Sequence, residues 1–166
     1  MKTVFAFLVA AFVPAALMAL WYLYGQFSIF PADDPYIWVR TKSVLGLFLE
    51  ISAAHVVLLG GPAYALLRWR RAVRWWSILA SGFVLGAAPF AIWSWPLQYS
   101  NLRSSATFNG VQTMIDGAPT AAGWWQYTQG VLVFGAWGLV SSLAFWLAVH
   151  ALGHNGSLQR TPCGAR

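Results

Sequence analysis

Arg68-Trp69-Arg70-Arg71-Ala72-Val73-Arg74 places four arginines within seven residues, and long apolar runs lie on either side. No other stretch is so densely charged in a chain that is 59% hydrophobic and only 8% charged. Arginine beside a membrane span stays on the cytoplasmic side, because carrying it across a bilayer is costly. Arg68, Arg70, Arg71 and Arg74 therefore fix the direction of every other segment, and they double as contacts for anionic headgroups. By alternation, the N-terminus with Lys2 and the tail with Arg160 and Arg166 fall on the same inner side.

With 166 residues the chain is long enough for one domain. Its mean hydropathy of +0.60 and 17% aromatic content lie far from soluble averages, which makes lipid the natural solvent. The net charge of +6 sits mostly at the ends of apolar runs rather than on an extended basic face, so it does not point to nucleic acid. Cys163 is the single cysteine, which excludes an internal disulfide and a dithiol redox role for the chain alone.

Four runs are long enough to cross a hydrocarbon core of roughly 30 Å: residues 3–24, 43–67, 75–95 and 130–151. The first has a rival reading as a signal peptide, with Lys2 as its basic start and Val13-Pro14-Ala15 or Leu17-Met18-Ala19 as an imperfect cleavage site. It continues well past both and ends in Trp21, Tyr22 and Tyr24, which favours a retained span. Pro14 is a candidate kink. Tryptophans collect at span ends, as interfacial anchors do: Trp21, Trp38, Trp93, Trp95, Trp124 and Trp125 outside, Trp69, Trp75 and Trp76 inside. Trp137 and Trp146 are the exceptions.

Between the spans lie outer loops 25–42 and 96–123 and inner loop 68–74, with a polar tail at 153–166. Asp33 and Asp34 in the first outer loop are too few oxygens for calcium and read as a solvated turn. The second outer loop is long for a structureless connection. Asn109-Gly110 predicts a tight hairpin and Asp116-Gly117-Ala118-Pro119 a second turn, so a small folded cap is expected there. Small residues recur at helical spacing: Ala11, Ala15 and Ala19; Gly82 and Gly86; Gly138 and Ser142. Such faces let helix backbones approach closely.

Glu50 is the sharpest chemical candidate, a carboxylate inside the second span. It suits a proton relay, a cation site or a hydrogen bond to another helix. Arg40 and Arg103 are its cationic partners by depth. His55 lies deeper, but five residues on an ideal helix put it about 140° around from Glu50. Gly60-Gly61-Pro62 follows, a candidate kink. His55 and His150 differ too much in depth to hold one haem. His150 and His154 straddle an expected helix end at Gly153, so they make a poor metal pair. No P-loop, GxGxxG or HExxH is present, no serine has a predicted base beside it, and no cofactor is implied.

The expectation is an all-α integral membrane protein of a bacterial inner membrane. It has four transmembrane helices in an antiparallel bundle, both termini cytoplasmic, under a periplasmic cap. Two functions fit. One is action by protein–protein contact, as an accessory subunit of a membrane complex or an immunity-type protective protein. The other is a small proton-coupled transporter, dimeric through the Gly82–Gly86 face, with Glu50 titrating and His55 lining the path.

Overall fold

The computed structural model describes residues 2–98 and 104–154; Arg103, Arg160, Cys163 and Arg166 lie outside the described residues. The described chain is mostly helical: α1 (Lys2–Ile29), α2 (Tyr36–His55), a π-helical turn (Val56–Gly60), α3 (Gly61–Trp69), α4 (Trp75–Trp93) and α5 (Ala121–His154). Between α4 and α5 come three short strands, β1 (Ala106–Phe108), β2 (Val111–Ile115) and β3 (Ala118–Pro119). Four helical segments are long and apolar enough to cross a membrane: Thr3–Ile29, Tyr36–Trp69, Trp75–Trp93 and Ala121–Ala151.

Three of these segments extend beyond the apolar runs that announce them. Once nucleated, a helix adds one hydrogen bond per residue fixed, so polar flanks continue it where nothing stops it. At the start of α2, Asp34 Oδ1 accepts the Tyr36 amide at 2.9 Å, which satisfies one of the orphan donors there. At the far end, α5 runs through Gly153 to His154, so the helix end expected between His150 and His154 is not found.

Two compact units divide the chain: Met1–Leu79 with Val140–Arg166, and Ala80–Leu139. In the first, the core is built from small residues. Ala6, Ala10, Ala11, Ala15 and Ala19 are all buried on α1. Their short side chains let neighbouring helices close in. Ala6 and Ala10 join Ile78, Phe145 and Ala148 in one cluster. Phe7, Tyr64 and Phe145 pack ring to ring beside it, with centroids 4.8 to 5.9 Å apart. Such tilted and edge-on pairs set the negative ring face against a positive edge. α1 runs unbroken through Pro14.

In the second unit, α4 and α5 meet at glycines. A Cβ added to Gly86 would lie 2.6 Å from the Phe134 carbonyl oxygen and 2.9 Å from Gly138 Cα. One added to Gly138 would run into the Gly82 carbonyl oxygen. Phe90 stacks on Phe134 at 4.5 Å, and the Tyr127 hydroxyl donates to the Ala91 carbonyl at 3.1 Å. The strands form an antiparallel sheet in the order β1-β2-β3. Its two turns are the ones the sequence marks: Asn109 and Gly110 have φ of 50° and 78°, Asp116 and Gly117 of 47° and 81°. Positive φ at both central residues matches the right-handed twist of the strands, which is why Asn-Gly and Asp-Gly occupy such turns.

Candidate functional site

α2 brings the polar candidates into the long apolar segment Tyr36–Trp69. Thr41 and Ser43 return their hydroxyl protons to the Ile37 and Val39 carbonyls at 2.8 and 3.0 Å, so neither needs an outside partner. Glu50 differs. Its side chain is exposed on the surface of α2, and among the described residues none forms a hydrogen bond or ion pair with it. In the segment Tyr36–Trp69 only Ile37 and Thr41, both at its start, are buried.

Arg40 does not serve Glu50. Its guanidinium sits 4.7 Å from the centre of the Phe30 ring and donates to Gln26 Oε1 at 3.4 Å. This fastens the start of α2 to the end of α1, where the edge of Phe27 also meets Trp38. The expected cationic partner is thus engaged with an aromatic face. The other one, Arg103, lies outside the described residues.

His55 is half-buried and closes α2. The backbone between Glu50 and His55 is regular α-helix, so the two remain on different faces and the structure does not bring them together. The widened turn begins one residue later. There the Gly61 amide bonds back five residues to the Val56 carbonyl. Pro62 explains it: its ring would press on the carbonyl four residues earlier and it has no N–H to give, so the helix relaxes into a wider turn. What the Gly60-Gly61-Pro62 signal produces is therefore a π turn within a continuous helical segment.

Arg68, Arg70, Arg71 and Arg74 are exposed around the end of α3. The turn is a Schellman motif: Ala72 N–H donates to Leu67 O at 2.9 Å and Arg71 N–H to Arg68 O at 3.1 Å. Arg71 holds the left-handed position, φ 54°, that glycine usually takes.

Of the packing candidates, Gly82, Gly86 and Gly138 come together as one close backbone contact between α4 and α5. The Gly82–Gly86 face is therefore taken within the chain and is not open to a second copy. Ser142 is half-buried on α5. Sequence reasoning missed the neighbouring Ser141, whose hydroxyl donates to the Ala10 carbonyl at 2.8 Å. It also passed over His150 as an aromatic partner: its ring stacks on Trp146 with centroids 4.5 Å apart.

The sheet is tied to α5 by Thr120. Its Oγ1 donates to the Gln112 carbonyl at 2.8 Å and accepts the Gly123 amide at 3.2 Å, the geometry of an N-cap. Below the sheet an open cleft of about 240 Å³ is lined by Phe90, Ser94, Met114, Pro119 and Tyr127, among others. Trp95, Trp124 and Tyr127 pack edge to face in this unit, with centroids 5.6 to 6.0 Å apart. No protein-family model, curated protein or solved structure matches this chain.

Proposed function

We propose that the chain crosses a bacterial inner membrane four times as an antiparallel bundle and acts there by protein–protein contact. It would be an accessory subunit of a membrane complex or an immunity-type protective protein. Both termini and the Arg68–Arg74 turn lie in the cytoplasm on this reading, and the sheet lies in the periplasm. Exposed tryptophans near helix ends support the depth assignment, Trp93 and Trp125 at one side and Trp69, Trp75 and Trp76 at the other.

One observation carries the contact reading: Glu50 stands exposed on a helical segment in which only Ile37 and Thr41, at its start, are buried. Twelve residues separate it from Trp38, so it lies about 18 Å along the helix from that anchor, inside the hydrocarbon layer. A carboxylate there facing lipid costs about 2.5–3.5 kcal/mol on insertion scales. A partner helix laid over α2 removes it from lipid and can supply a donor. The test is purification in gentle detergent at native expression level, with photo-crosslinkers at Leu47, Ile51 and Leu58 and mass spectrometry of the products. A stoichiometric partner crosslinked through these positions supports the reading; a chain that purifies alone and crosslinks to nothing sinks it.

Proton-coupled transport is the second reading, favoured by the π turn that starts directly after His55, since such turns recur at functional sites. It predicts a homodimer crosslinked through the same positions and a proton flux in proteoliposomes that Glu50→Gln abolishes.

A further inference from the structure

Resting on the contact reading above, we infer that the helix lying over α2 belongs to a different membrane protein and carries a lysine or arginine opposite Glu50. The two chains then share an ion pair inside the membrane.

The exposed side of the segment Tyr36–Trp69 is one continuous line. Leu47, Glu50 and Ala54 are exposed and lie three and four residues apart, the spacing that keeps side chains on one face toward a packed helix. Continued by threes and fours through a plain α-helix, that line would reach Gly61 and Tyr64, but Tyr64 packs inward on Phe7 and Phe145. The π turn Val56–Gly60 widens the helix by one residue and shifts the line onto Leu58, Pro62 and Ala65, all exposed. From Leu47 to Ala65 it covers about 27 Å at 1.5 Å per residue, close to the thickness of a hydrocarbon core. A face of that length and straightness fits a second spanning helix.

Charge decides what that helix carries. Between Ser43 and Leu67 the sole Asp, Glu, Lys or Arg is Glu50. None of the ten lysines and arginines falls within residues 3–24, 43–67, 75–95 or 130–151, so the chain brings no cation to this depth. Arg40 is held by Phe30 and Gln26. Lys42 is eight residues from Glu50, about 12 Å along the helix. His55 lies on another face. A neutral donor from the partner satisfies an oxygen and leaves the charge in hydrocarbon, whereas a cation offsets the charge and donates as well. A basic residue alone in the partner's span carries a similar insertion cost, so each residue relieves the other.

The test uses the full chain with Cys163→Ser and a fluorescent donor at Val39→Cys, which is exposed near the start of α2. It is reconstituted into vesicles of phosphatidylethanolamine and phosphatidylglycerol. The probes are synthetic leucine–alanine helices about 20 residues long, acceptor-labelled and with tryptophan ends, that carry Lys, Gln or Leu at the centre. The expected result is half-maximal energy transfer at a several-fold lower density of the Lys helix than of the other two. Glu50→Gln should erase that preference, and Glu50→Lys should transfer it to a helix with a central Glu. Three probes that associate alike, or a Lys preference that survives Glu50→Gln, overturn the cation. If photo-crosslinkers at Leu47 and Ile51 still capture a partner, the contact reading stands without it. Neither crosslink nor transfer overturns both. Transfer between donor- and acceptor-labelled copies of this chain that the Lys helix fails to displace overturns the cation in favour of a second copy.

Discussion

The Ser141 hydroxyl donates to the Ala10 carbonyl at 2.8 Å, and Ala10 is the residue four positions before Pro14. In an α-helix that carbonyl would accept the amide of residue 14, which proline lacks. Ser141 therefore fills the vacancy that Pro14 creates, joining α1 to α5 across 131 positions of sequence. Ala10 is buried, so water is a poor substitute. Ser141→Ala is expected to destabilise the protein by about 1 kcal/mol, within the range measured for interhelical hydrogen bonds in membranes. In a Pro14→Ala background, where the helix supplies its own donor, the loss should shrink to a few tenths of that. Unfolding in mixed micelles for the four members of this cycle measures the difference. Equal losses in both backgrounds would break the link between Pro14 and Ser141.

Gly86 and Gly138 meet backbone to backbone, so neither can gain a methyl without moving a helix. Gly86→Ala and Gly138→Ala should each cost about 1–3 kcal/mol, the range for overpacking where no flexible side chain can yield. Gly46 is the control: a Cβ there meets nothing within 4 Å. Gly46→Ala should be neutral or stabilise by about 0.5–1 kcal/mol. Because the contact is within one chain, neither substitution at Gly86 or Gly138 should alter stoichiometry in detergent. Thermal unfolding and light scattering on the same samples read the two quantities separately.

These contacts show what a sequence of this kind discloses. The four long apolar segments and the turns at Asn109-Gly110 and Asp116-Gly117 were legible, because hydropathy over a span and positive φ in a tight turn are properties of adjacent residues. The close-approach glycines were legible one by one, and what Gly82 and Gly86 receive was not. Any small-residue face on any helix could have answered them. Ser141 was illegible for the same reason: Pro14 reads from the sequence as a candidate kink, and nothing adjacent to it says which donor meets the Ala10 carbonyl. The strand Ala118–Pro119 reads as a turn because two residues give no period. Depth along the chain made Arg40 a partner for Glu50, and depth says nothing about the Phe30 ring that holds it.

Arg71 occupies the left-handed position of the Schellman turn with φ 54°. A side chain there costs roughly 1–2 kcal/mol relative to glycine. Arg71→Gly should raise stability by up to about that amount, and Arg71→Val should lower it, since a β-branched residue suits that region least. Both remove one charge from the turn, so an effect of charge alone would move them together. Unfolding midpoints that shift in opposite directions assign the effect to the backbone. On the proposed topology, cysteine labelling of the flanking loops in intact cells should find the orientation unchanged in both, because Arg68, Arg70 and Arg74 still supply the positive charge of the turn.

Thr120 does two jobs with one oxygen, giving its proton to the Gln112 carbonyl and receiving the Gly123 amide. Its backbone amide also reaches the Thr113 carbonyl at 3.0 Å, so β2 and the first turn of α5 hold together at this residue. Thr120→Ala removes both side-chain bonds and should cost about 0.5–2 kcal/mol as a lost N-cap. Thr120→Ser keeps the hydroxyl and should cost much less. The damage should be local, because the sheet is short and is held to the helix mainly here. Amide exchange by mass spectrometry should show Val111–Ile115 exchanging several-fold faster in Thr120→Ala while the middle of α5 is unchanged. Uniform acceleration along α5 would instead mean that the cap supports the whole helix, and unaltered exchange in β2 would mean that the sheet stands without it.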